Sequence, residues 1–134
     1  MIISGCRSIV AGKATGLALV TAQPVNFLSM VDLATGHITD KRHELFGRAL
    51  KGVVLAFPYA IGSSVGAYAI YSLKQLGNAP SAIVCSKADI TTASGCAIAG
   101  IPVVDLPAGV KIDSIPSGAM TSVDATDKSA TVKI

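Results

Sequence analysis

The sequence has 134 residues, of which 51% are hydrophobic, 14% charged and 4% aromatic, with no tryptophan and a formal net charge of +3. That balance excludes intrinsic disorder, which needs low hydrophobicity and high net charge, and the length has room for a single domain over residues 1–134. Three cysteines, odd in number and widely spaced at Cys6, Cys85 and Cys96, exclude a disulfide scaffold and fit a reduced, cytoplasmic compartment.

Lys41-Arg42 is the only adjacent basic pair, and no basic block interleaves with aromatics. No nucleic-acid partner is therefore expected. The apolar stretches are short and fall below the roughly 18–20 residues that span a bilayer, so no membrane segment is expected either. Met1 to Arg7 lacks the basic-then-apolar order of a signal peptide. With so few charges, a domain this small leaves apolar surface exposed, and such a patch usually meets a partner. The chain reads as one part of a larger assembly.

In chain order, Leu17-Ala18-Leu19-Val20 and Val25-Asn26-Phe27-Leu28 are short runs in a region of strands and loops. Asp32 to Gly36 is a loop by its turn formers. His37 to Arg48 is the most polar part and is expected on the surface. Val53 to Phe57 is a continuous apolar run, consistent with a strand buried on both faces, and Pro58 ends it. Ser63 or Ser64 is placed to cap a following helix, whose stripe is Val65, Ala69, Leu73 and Leu76. Lys74 and Gly77 mark its end. Ala82 to Cys85 predicts a strand, Thr91 to Ala99 a weak helix and Ile101 to Asp105 another strand. Alternation of this kind implies parallel strands joined by crossovers. Met120 to Val123 and Thr131 to Ile134 predict a closing hairpin. The fold class is α/β, a parallel core with β-rich ends.

The strongest local feature is Phe57-Pro58-Tyr59-Ala60-Ile61-Gly62-Ser63-Ser64-Val65-Gly66. A strand feeds a glycine turn that opens a helix carrying two hydroxyls. Free backbone N–H groups and the positive end of the helix dipole converge there and stabilise negative charge. A serine so placed acts as base or nucleophile only if something activates it; otherwise it is a simple cap. The loop is neither a P-loop nor a dinucleotide fingerprint, and Ile61 breaks the nucleophile-elbow pattern. The cysteines have no metal-ligand spacing, and His37 and His43 lie in the polar stretch, so no metal is expected on this chain. Asp32, Asp89 and Asp105 are isolated, each with a turn or cap role to explain it. The result is half of an active site.

Several motifs carry a resemblance. Gly16-x-Ala18-Leu19-Val20, Phe27-Leu28, Val31-Asp32-x-x-Thr35-Gly36, Gly62-Ser63-Ser64-Val65-Gly66-x-Tyr68, Ala79-Pro80-x-Ala82-Ile83 and Gly95 to Asp105 follow in order. Together they resemble the aconitase X swivel-domain family. The resemblance implies a swivelling β/β/α domain that serves as the small subunit of a hydro-lyase, active only with a larger subunit that holds a [4Fe-4S] cluster on its own cysteines. Val65 and Tyr68 point to the archaeal branch, which dehydrates (R)-5-phosphomevalonate to trans-anhydromevalonate 5-phosphate in a modified mevalonate pathway. By the same resemblance, Ser63 is the proton acceptor, while Gly62 and Ser64 shape the loop and touch the substrate, a small phosphorylated hydroxy acid. The chain departs from many relatives at Ser29-Met30 and at Tyr59-Ala60-Ile61, positions that bear on substrate contacts. Two other readings are a dehydratase of cis-3-hydroxy-L-proline type and a binding module that kept the fold without the chemistry. Retention of Gly62-Ser63 favours catalysis.

Overall fold

The computed structural model describes all 134 residues. Its strands are β1 (Ile2–Val10), β2 (Lys13–Val20), β3 (Val31–Asp32), β4 (His37–Ile38), β5 (Val54–Phe57), β6 (Ala82–Cys85), β7 (Val103–Asp105), β8 (Met120–Asp124) and β9 (Ser129–Lys133). Two helices, α1 (Val65–Gln75) and α2 (Ile90–Ala99), and a short 3-10 turn at Ile112–Ser114 complete the chain. Seven strands close into a barrel in the order β1-β7-β6-β5-β2-β8-β9, with β9 pairing back onto β1. Four neighbours, β2, β5, β6 and β7, run parallel; β1, β8 and β9 join them antiparallel.

The apolar run of β5 is buried on both faces because its residues alternate between two cores. Val54 and Ala56 join Ala18, Ala82, Val84 and Val104 in one cluster, whereas Leu55 and Phe57 join Leu73, Ile83 and Phe27 in the other. The first cluster is rich in alanine and valine, as a narrow barrel interior requires. The second lies under the helices and is anchored by an edge-to-face pair, Phe27 on Phe57, with ring centroids 5.7 Å apart.

Two expectations change in the folded chain, and the Asp32 to Gly36 loop holds as a turn. The polar stretch His37 to Arg48 is not simply surface. Ile38 and Leu45 are in the core and His43 is only 6% exposed. Its Nδ1 accepts from Leu45 N at 3.1 Å, leaving Nε2–H to donate to the Pro24 carbonyl at 3.1 Å. The segment is a cap, held by a histidine whose polar atoms are both satisfied. The loop at Asp32 to Gly36 is a tight hairpin, in which the Asp32 carbonyl accepts from Gly36 N at 2.7 Å. The buried stripe of α1 is Gly66, Ala69, Ile70 and Leu73, while Val65 and Leu76 are exposed.

Glycines explain that rotation. A Cβ on Gly95 of α2 would lie 3.0 Å from both Cα and O of Ala67, and one on Gly66 would lie 3.0 Å from Thr91 Cγ2. The helices approach so closely that glycine is the residue each can present to the other. Gly95→Ala removes a residue that ordinarily costs a helix about 1 kcal/mol. Because the space is closed by backbone, the expected result is instead a loss of about 1–3 kcal/mol, the cost of overpacking, in urea unfolding. A gain in stability would show that the helices separate without cost.

Candidate active site at the carboxyl end of β5

Ligands of parallel sheets gather beyond the carboxyl ends of the strands, and the loop from Pro58 to Ser64 leaves β5 at that end. The loop is short of internal bonds and is held from outside. Val25 pairs with it as a parallel bridge, donating to the Tyr59 carbonyl at 3.3 Å and accepting from Ile61 N at 3.0 Å. Asp89 Oδ1 accepts from Ala60 N at 2.8 Å. Gly62 then takes φ +107°, a region that favours glycine, and a Cβ there would lie 2.6 Å from Asn26 Nδ2.

Ser63 and Ser64 follow at the start of α1, both exposed. Ser64 is the N-cap residue, yet its hydroxyl makes no cap bond. Ser63 Oγ accepts from Val65 N at 3.3 Å, a long contact, and it has no other hydrogen bond. The Ser63 and Ser64 carbonyls accept from Gly66 N and Ala67 N, opening the helix ladder. The N–H groups of Gly62, Ser63 and Ser64 donate to nothing in the chain. The geometry therefore brings Gly62, Ser63 and Ser64 together as a concentration of unspent donors beside a hydroxyl. No side chain accepts the Ser63 proton.

The remaining candidates are occupied elsewhere. Asp32 Oδ1 accepts from Ala34 N within its own turn. Asp105 binds Ala88 N and Arg7 Nη2 at 2.7 and 3.1 Å, tying β7 to β1 and to the segment after β6. Asp89 caps α2, accepting from Thr92 N and Thr92 Oγ1. Its third contact, to Ala60, was hidden from the sequence because it joins residues 29 apart in the chain. Asn26 was hidden likewise, lying in a run that reads only as strand or loop.

All three thiols are buried and free. Burial raises Cys6 and pushes Cys85 well above the ordinary thiol value, with the Asp105 and Asp89 carboxylates adding to the latter. Cys96 is pushed up to about 12, by burial and then by Asp89. Such groups rest as neutral thiols. No cluster of three or more His, Cys, Asp or Glu side chains is placed to hold a metal ion. The residues of this chain do not fit an iron–sulfur cluster. No helix is long and apolar enough to cross a membrane.

Around the loop the surface is apolar. Leu28, Tyr59, Ile61 and Val65 are about half exposed, and Tyr68 is 73% exposed. An open cavity of about 300 Å³ adjoins Ile61, lined by Met30, Asp40, Arg42 and His43 among others. The backbone N–H of Arg42, and after it the Arg42 guanidinium, hold the Asp40 carboxyl below its ordinary value.

The comparisons with known proteins agree with one another. A sequence model of the aconitase X swivel domain matches residues 3–134, including the C-terminal hairpin that the short motifs did not reach. The phosphomevalonate dehydratase small subunit of Thermococcus onnurineus is 44% identical over 121 residues, covering 90% of this chain and 91% of that protein. The protein of the same name from Methanocella arvoryzae is 44% identical over 126 residues, covering 94% and 95%. Among solved structures, the holo form of Thermococcus kodakaraensis aconitase X superposes with a TM-score of 0.88 at 37% identity, covering 98% of each chain.

Asp89→Ala removes a helix cap, worth about 1 kcal/mol, and orphans the N–H of buried Ala60, at about 1–3 kcal/mol. A combined loss of about 2–4 kcal/mol is expected by denaturant unfolding. Asp89→Asn keeps one acceptor oxygen and turns the other into a donor, so it gives up either the Ala60 N or the Thr92 N bond and is expected to fall between the wild type and Asp89→Ala. Unfolding of Asp89→Ala at the wild-type midpoint would mean that the loop does not rest on this carboxylate.

Proposed function

This chain belongs to the aconitase X swivel-domain family, and from that premise we propose that it is the small subunit of a phosphomevalonate dehydratase. In this reading residues 1–134 act as one swivel domain in the cytoplasm. A larger subunit completes the active site and carries a [4Fe-4S] cluster, which supplies Lewis-acid chemistry at the departing hydroxyl. The observation that carries the reading is the exposed Gly62-Ser63-Ser64 loop, which has a hydroxyl and unspent donors but no base, acid or metal of its own.

Dehydration takes a proton from one carbon and a hydroxyl from the next. This chain contributes the first half. Ser63 Oγ takes the proton from the carbon beside the substrate carboxylate, the most acidic of the available C–H groups. The oxygen does this as an alkoxide, a state favoured by the Val65 N–H and by the positive end of α1. Gly62 and Ser64 shape the loop and present backbone N–H groups to the substrate. Since no group of this chain takes the Ser63 proton, the alkoxide forms only if the larger subunit supplies a basic group that accepts that proton and cationic groups that hold the charge once the loop is covered. The relatives named above support phosphomevalonate over a hydroxyproline-type acid, and an intact serine loop supports catalysis over a binding module.

The test is Ser63→Ala in the complex reconstituted anaerobically with the larger subunit. Assembly and the unfolding midpoint are expected to match the wild type, because Ser63 makes a single long bond. Turnover of (R)-5-phosphomevalonate is expected to fall by about 10²–10⁴, the usual contribution of a positioned base. Turnover equal to wild type would remove Ser63 from that role.

A further inference from the structure

Asn26 packs against Gly62, the residue before Ser63, and has half of its amide unexplained. Its Oδ1 is spent, accepting from Leu28 N and Ser29 N, both at 3.1 Å. Those two bonds fix the flip of the amide, because only the oxygen accepts. They also leave Nδ2 with two hydrogens and no acceptor in the chain. No buried side-chain nitrogen or oxygen goes unpaired in this protein, so Nδ2 is open to solvent. Yet it is the side-chain atom nearest to where a Cβ on Gly62 would stand, at 2.6 Å. The backbone of Asn26 is locked as well, since its carbonyl accepts from Met30 N and its neighbour Val25 is bridged to the loop.

A turn-forming residue accounts for the oxygen and not for the nitrogen. Aspartate would serve the turn equally. What asparagine adds is an oriented donor beside a loop whose Gly62, Ser63 and Ser64 N–H groups are also unspent. This corner of the surface gathers four unspent N–H donor groups beside the Ser63 hydroxyl, and such donors suit a carboxylate.

We infer that Asn26 is a second group of this chain that touches the substrate, its Nδ2 donating to a carboxylate oxygen next to the carbon that yields its proton to Ser63. The inference rests on the proposed role of Ser63. As that proton leaves, charge accumulates on the carboxylate oxygens, and a fixed donor stabilises it more in the transition state than in the ground state.

The test is Asn26→Asp in the reconstituted complex, with (R)-5-phosphomevalonate as substrate. The new side chain keeps an acceptor for Leu28 and Ser29 and replaces the donor with an anion. The expected result is an unchanged unfolding midpoint, intact assembly and a kcat lower by about 10²–10³, the cost of one such donor. The deficit shrinks as pH falls and the introduced carboxyl gains a proton to donate. Wild-type turnover in this variant, or a deficit that does not change with pH, would overturn the inference. If the introduced charge prevents assembly, Asn26→Ala is read instead. A lower kcat in an intact complex supports the contact, and an unchanged kcat overturns it. A wild-type complex that leaves phosphomevalonate unchanged would overturn the proposed function itself, and the inference with it. Normal wild-type turnover with an unaffected Asn26→Asp would overturn the inference alone.

Discussion

A single carboxylate holds the candidate site in place. Asp89 accepts from Ala60 N in the loop after β5 and from Thr92 N and Oγ1 in the first turn of α2. It thereby fastens the β5–α1 and β6–α2 connections to each other at the carboxyl end of the parallel strands. Without it, the segment from Tyr59 to Ser64 would hang on the Val25 bridge and the close packing of Gly62 on Asn26. Unspent donors are useful only if they are fixed before the substrate arrives, because then no reorganisation is needed as charge develops.

The low charge content shows in both the interior and the surface. Only three ion pairs form in 134 residues, and two apolar clusters, one within the barrel and one beneath the helices, fill the interior. Exposed apolar residues occur over much of the surface, Ile2, Leu17, Ile90, Ile98 and Met120 among them, and five belong to the loop and its neighbouring segments. Leu28, Tyr59, Ile61, Val65 and Tyr68 stand around the donors, an arrangement that exposes hydrophobic surface where an isolated enzyme would want water-facing groups. On the proposed reading this ring is covered by the larger subunit, which excludes water and strengthens every electrostatic contact inside.

What the sequence made legible is local. The β5 run, the two helices, their parallel strands and the final hairpin all show in contiguous patterns, and Asp32 and Asp89 do hold a turn and a cap, whereas Asp105 instead ties β7 to Arg7 of β1 and to Ala88. What it concealed is non-local. Closure of the barrel depends on β1 pairing with β9 across nearly the whole chain. His43 looks exposed in its polar stretch, and only the Pro24 carbonyl and the Leu45 N–H explain its burial. The face that α1 buries was misplaced by one residue at Val65 because Gly66 counts as no hydrophobe, although it is the point of closest approach to α2. At the site, Gly62, Ser63 and Ser64 could be picked out from the glycine turn and helix start. Asn26 and the Ala60 contact of Asp89 could not, since each is defined by a partner in another segment.

The most direct measurement compares this chain alone, its larger subunit alone with cluster restored, and the two combined, each scored anaerobically for dehydration of (R)-5-phosphomevalonate. The expected result is turnover in the combined sample only. Full turnover by the larger subunit alone, or none in the combined sample, would contradict the account of this domain as half of a shared active site.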